Sequence, residues 1–78
     1  MPTVMWIGPF RFFFYSNERD EPAHIHEQRD RALAKFWLSP VTRAKAKHFS
    51  APDLNAIRRH IEDNVATMQE AWNEHLDR

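Results

Sequence analysis

The chain has no cysteine, a single glycine and no surplus of charge of either sign. Without cysteine there can be no disulfide, no thiolate metal ligand and no thiol nucleophile, which fits a reducing cytoplasm. Gly8 stands alone, so a glycine-rich phosphate loop is excluded. Eleven Lys and Arg against eleven Asp and Glu give a formal net charge of zero. Contact with nucleic acid would therefore have to come from a local patch and not from a generally basic chain. No apolar run approaches the about 20 residues of a membrane span. The start, Met1-Pro2-Thr3, lacks the charged and apolar regions of a signal peptide. A cytoplasmic protein with no membrane contact is the expectation.

What remains is a chain of 78 residues, 13% of them aromatic. That length holds one domain, residues 1–78, with a sheet expected over 3–48 and a helix over 50–77. A domain of this size is marginal by itself and usually leans on a metal, a disulfide or a partner. A homodimer or a small partner protein is expected on that ground.

Thr3–Ile7 is a short β-type run, closed by Gly8-Pro9 as a turn. Phe10–Ser16 is strongly β-prone. Alternation puts Phe10, Phe12 and Phe14 on one face and Arg11, Phe13 and Tyr15 on the other. Asn17–Pro22 is a polar loop. Ala23–Arg29 forms a further strand with His24, His26 and Gln28 opposite Ile25, and Asp30-Arg31 turns into Ala32–Leu38. There Ala34, Phe36 and Leu38 oppose Leu33, Lys35 and Trp37. Pro40 stops that strand, and Val41–His48 is a short edge strand or an irregular segment.

The helix has the clearest signature. Ser50 and Asp53 form a capping box, with Phe49 and Leu54 placed as a hydrophobic staple. Leu54, Ile57, Ile61, Val65, Met68, Trp72 and Leu76 then recur every three or four residues. From Ala51 to Leu76 the helix would be roughly 39 Å long, at ~1.5 Å per residue, long enough for its end to overhang the sheet and meet a partner. Trp72 lies on the stripe and reads as packing. The fold class is α+β: a small antiparallel sheet of three to four strands against one long C-terminal helix.

His24 and His26 are the first functional candidates. Residues two apart in a strand share a face, so both imidazoles can hold a divalent metal, with Asp20 or Glu21 nearby as carboxylate ligands. Asp30 is also near in sequence, and His48 and His60 are candidates to approach in space. Without metal the pair can divide the roles of general acid and general base. The plainer alternative is two exposed polar residues on the wet face of an antiparallel sheet. The loop Glu18-Arg19-Asp20-Glu21 either feeds carboxylates to that face or is a solvated tip. Arg43, Lys45, Lys47 and His48, with Arg58 and Arg59, can contact phosphates, and Tyr15 or Trp37 can stack a base. Zero net charge favours a surface balanced by Glu62, Asp63, Glu70 and Glu74 instead.

Several segments together resemble a known family. They are Arg11 to Glu18, Glu21-Pro22-Ala23-His24-Ile25-His26, Ala34-Lys35-Phe36-Trp37-Leu38, Pro40-Val41, Phe49-Ser50 and Ala71-Trp72-Asn73-Glu74. In that order and spacing they resemble domain-of-unknown-function family 4160, a group of short bacterial proteins. The family's P-H-x-H core is matched by His24 and His26, with Pro22 one residue further back and Ala23 in place of a common second proline. Members usually carry glycine around Asp30-Arg31 and at the position of His48. Members often have a neighbouring gene for another small protein, which implies a toxin–antitoxin association. If the chain is the active partner of such a module, the simplest chemistry is cleavage or modification of RNA at the His24/His26 face, with Arg11, Arg29 or Lys35 steadying a phosphate. The alternatives are a non-enzymatic protein-interaction module, docking through the second aromatic face and the helix end, and a small metal-binding domain.

Overall fold

A computed structural model describes residues 3–16 and 20–76. The loop residues Asn17, Glu18 and Arg19, and position 77 of the expected helix, lie outside the described residues. Five strands, β1 (Thr3–Ile7), β2 (Phe10–Phe13), β3 (His24–Arg29), β4 (Ala32–Leu38) and β5 (Val41–Lys47), precede one helix, α1 (Ala51–Leu76). The strands form one antiparallel sheet in sequence order, β1-β2-β3-β4-β5.

The sheet is thus larger than the three to four strands expected. Both edge strands account for the difference: the short apolar Thr3–Ile7 run pairs with β2, and the ambiguous Val41–Lys47 run pairs with β4. A polar, charge-bearing edge strand gives a weak sequence signal, because no face of it is strongly apolar. The helix matches its expected span, and the Ser50 Oγ accepts the Asp53 backbone N–H at 3.2 Å as an N-cap.

Cross-strand register sorts the side chains onto two faces. Phe12, Glu27 and Ala34 face the helix, as do Ile25 and Phe36. Phe10, Phe12, Phe14, Ile25, Ala34, Phe36 and Leu38 form the core with Ile57, Ile61, Met68 and Trp72 of α1. The C-terminal end of the helix does not overhang. Trp72 is buried, its ring edge-on to Phe14 at 5.4 Å, and His75 donates from Nε2 to the Tyr15 carbonyl at 3.1 Å.

Two positions with positive φ explain the departures from the glycine pattern. Asp30 (φ 54°) turns the β3–β4 hairpin, and His48 (φ 69°) turns the chain from β5 towards α1. Both are in the left-handed region that glycine enters without steric cost.

Candidate functional site

The helix-free face of the sheet is built by the alternate residues of the same strands. Its central row is Phe13, His26, Lys35 and Lys45, paired in turn from β2 to β5. A second row runs Trp6, Arg11, Gln28, Leu33 and Lys47 across all five strands. His24 and Trp37 are paired beyond the central row. Register therefore brings Lys35 directly opposite His26, a question alternation alone leaves open.

The histidines are not on a wet face. His24 is 0% exposed and His26 9%. The His24 ring is enclosed by Trp37 at 5.7 Å, Trp72 at 4.8 Å and His26 at 5.1 Å. Its Nδ1 is 2.8 Å from the Pro22 carbonyl, which can only accept, so Nδ1 carries the hydrogen. His26 stacks on Phe13 at 5.5 Å and meets Tyr15 edge-on at 4.5 Å. Short side chains could not close this face. The aromatic rings of Phe13, Tyr15, Trp37 and Trp72 do so, and they bury the imidazoles.

The remaining candidates divide. Lys35 is buried beside His26, ion-paired to Glu21, with its ammonium 4.6 Å from the Trp37 ring centroid. Glu21 thus serves a lysine. Asp20 is an exposed turn residue. Among the described residues no three His, Asp or Glu side chains gather into a cluster able to hold a metal ion. Arg11 lies on the helix-free face, its Nε donating to Thr3 Oγ1 at 2.9 Å, its Nη1 to Gln28 Oε1 at 3.2 Å, and its guanidinium 4.4 Å from the Phe13 ring. Arg29 lies at the hairpin end of β3, away from the histidines. Odd numbering in β3 turns it towards the helix, where it pairs with Asp53 at 3.7 Å.

The basic residues also separate. Arg43 and Arg58 line a pocket between β5 and the start of α1. Lys45 and Lys47 join Tyr15, Leu33 and Lys35 around a pocket on the helix-free face. Trp37, one of the two expected stacking residues, is only partly exposed. Trp6, which the sequence pattern does not single out, is 65% exposed. A lone tryptophan in an apolar run reads as core; only the register shows it on the uncovered face.

Glu27 is the other residue that sequence reasoning passes over. It is fully buried on the helix side of β3, and neither carboxylate oxygen has a hydrogen-bond partner among the described residues. Burial pushes its carboxyl well above the ordinary carboxylate range. Alternation would have flagged it, since it shares its face with Ile25.

The family model described as "Domain of unknown function (DUF4160)" matches residues 10–73. The chain belongs to this family. The matched span takes in β2 to β5 and most of α1, and leaves β1 with Trp6 outside it. No curated protein and no solved structure matches the chain. No helix among the described residues is long and apolar enough to cross a membrane.

Proposed function

We propose that this DUF4160 protein is the RNA-binding component of a toxin–antitoxin-like module, and that RNA lies on the helix-free face of the sheet. One observation carries the reading. The three exposed large apolar side chains among the described residues, Trp6 (65%), Tyr15 (37%) and Leu33 (38%), all belong to that face, together with Arg11, Lys35, Lys45 and Lys47. β4 and β5 contain Lys35, Arg43, Lys45 and Lys47 and no carboxylate. Lys35 and Lys45 are direct cross-strand partners; Glu21 already pairs with the buried Lys35, so Lys45 and Lys47 are the exposed cations offered to a ligand. Cations interleaved with exposed aromatic rings suit a flexible polyanion with stackable bases.

Binding is the supported activity. A two-histidine acid–base mechanism needs both imidazoles to reach one substrate, and His24 has no exposed surface. In this reading the histidines brace the platform, with His26 seated under Tyr15 and beside Lys35. The module part of the reading rests on the family resemblance and the small neighbouring genes it implies.

Fluorescence anisotropy of labelled single-stranded RNA, across a salt series, tests the reading. The wild type binds, and Lys45→Ala/Lys47→Ala binds more weakly. Each phosphate that a lysine no longer neutralises flattens the log–log salt dependence by about 0.7, so the slope of the double variant is shallower by about 1.4. An unchanged affinity and slope in that variant would remove the RNA reading.

A further inference from the structure

Among the described residues, two separate pockets bear on the helix-free face. One is the lysine-lined pocket at Tyr15. The other is lined by Trp6, Pro9, Arg11, Gln28, Arg29 and Asp30, towards the β1 side of the sheet. The geometry points to a division of labour between them: the lysine pocket takes phosphate, and the Trp6 pocket takes a nucleobase, with adenine the best fit. The inference rests on the RNA reading and adds a second subsite with its own chemistry.

Trp6 supplies the stacking surface. It is the most exposed large apolar side chain among the described residues, and it projects from an edge strand with Arg11 on one side and no strand on the other. Exposure of an indole to this degree has no packing benefit, whereas stacking of a base on it is worth about 1–3 kcal/mol. Pro9, at the β1–β2 turn, adds an apolar wall.

Gln28 supplies the hydrogen-bonding edge. It lies two strands from Trp6 in the same cross-strand row, about 10 Å away at the backbone, with Arg11 between them. Its Oε1 accepts from Arg11 Nη1 and its Nε2 donates to the Asp30 carbonyl at 3.4 Å. These two bonds fix the amide orientation and leave one acceptor lone pair and one N–H for a ligand. An adjacent donor and acceptor on a glutamine amide match the N6–H and N7 of adenine. Arg11, held by Thr3, Gln28 and the Phe13 ring, keeps the floor of the pocket cationic.

Charge and position separate the two subsites. The lysine pocket has Lys35, Lys45 and Lys47 around one aromatic ring. The Trp6 pocket sets an amide, an indole and a proline beside Arg11, Arg29 and Asp30. Here Arg29 is paired to Asp53, Arg11 is engaged by Thr3, Gln28 and the Phe13 ring, and Asp30 adds a carboxylate, so less cationic charge is left for phosphate than at Lys45 and Lys47. The strand of RNA then crosses the sheet from β5 to β1, its backbone anchored on the lysines and a base lodged at Trp6.

The test compares three labelled probes of equal length: oligoadenylate, oligouridylate and an abasic ribose-phosphate oligomer. Wild type, Trp6→Ala, Gln28→Ala and Lys45→Ala/Lys47→Ala are titrated with each, after circular dichroism confirms the helix. Trp6 is largely solvent-exposed, so its removal leaves the fold intact. The wild type should prefer oligoadenylate over both other probes. Trp6→Ala should lose about tenfold in affinity for oligoadenylate with its salt dependence unchanged, and Gln28→Ala should lose the adenylate-over-uridylate preference. If Trp6→Ala binds oligoadenylate as the wild type does while the lysine variant is weakened, the base subsite is overturned and the RNA reading stands. If wild type binds none of the probes, both fall together.

Discussion

Glu27 sits where an apolar residue would serve the fold better. It lies between Phe12 and Ala34 in the cross-strand row, on the side covered by α1, with both oxygens unpartnered among the described residues. Its raised pKa means that the folded state binds a proton that the unfolded chain releases at lower pH. The contribution to stability is complete below the ordinary carboxylate value of 4.5 and is lost as pH rises towards the folded pKa. Urea denaturation should therefore show stability falling as pH increases above that value. Glu27→Met should abolish this slope and raise stability at neutral pH by about 1–3 kcal/mol, the cost of an unsatisfied buried polar group. A wild-type profile flat across that range would contradict the assignment. At His48 the strain is in the backbone. His48→Gly should stabilise the protein by up to about 1 kcal/mol, because the left-handed conformation costs a residue with a Cβ about 1–2 kcal/mol and glycine's extra unfolded-state freedom offsets part of the gain. Thermal denaturation reads that difference. His24→Ala, by contrast, should cost of order 3 kcal/mol, as truncation of a buried aromatic does, so loss of function in that variant would report on folding.

At the scale of elements, the helix and the edge strands are secured by different means. Helix α1 starts at the Ser50 cap, and Ser50→Ala should lower stability by about 1 kcal/mol. Midway, Asn64 leaves helical geometry (φ −127°, ψ 16°) and its Nδ2 donates to the His60 carbonyl at 2.8 Å. That side-chain bond occupies a carbonyl that would otherwise take the Asn64 backbone N–H, which is the local cause of the kink. The kink divides the buried pair Ile57 and Ile61 from Met68 and Trp72, so two straight segments follow the twisted sheet. Strand β5 is an exposed edge carrying Arg43, Lys45 and Lys47. Such cations also block edge-to-edge pairing of sheets. Replacing all three with threonine should make this edge self-associate, visible by light scattering; an unchanged particle size would show that the cations do not guard this edge.

Across the whole molecule, zero net charge conceals a polarised distribution. Glu62, Asp63, Glu70 and Glu74 are exposed on α1, whereas β4 and β5 carry only cations. The helix side is acidic on balance but carries cations too, since Arg58 and Arg59 are also exposed on α1. A field of that shape orients a polyanion towards the sheet face. The core that holds the two sides together is small. Trp72→Ala, which takes away the ring that Phe14 and His24 both pack against, should cost about 3–5 kcal/mol. That is a large share of the total for a domain of this length, and loss of cooperative unfolding in a calorimetric scan would show it.

The periodicity of Leu54 to Leu76 determined the helix, because a stripe repeating at helical spacing has one way to be buried. The alternation in Phe10–Phe14, His24–Gln28 and Ala32–Leu38 determined which residues share a face, because the pleat has a period of two. Those local rules reach no further than one element. Pairing decided that Lys35 sits opposite His26, that Arg29 turns away to Asp53 and that Trp6 joins the row of Arg11 and Gln28. Burial likewise belongs to the assembled molecule. His24 and His26 read as a wet pair in the strand, and became enclosed only when rings from β2, β4 and α1 closed around them. Five strands share one helix, which covers one face, and the uncovered face with its lysines and aromatic rings exists only once the strands are paired.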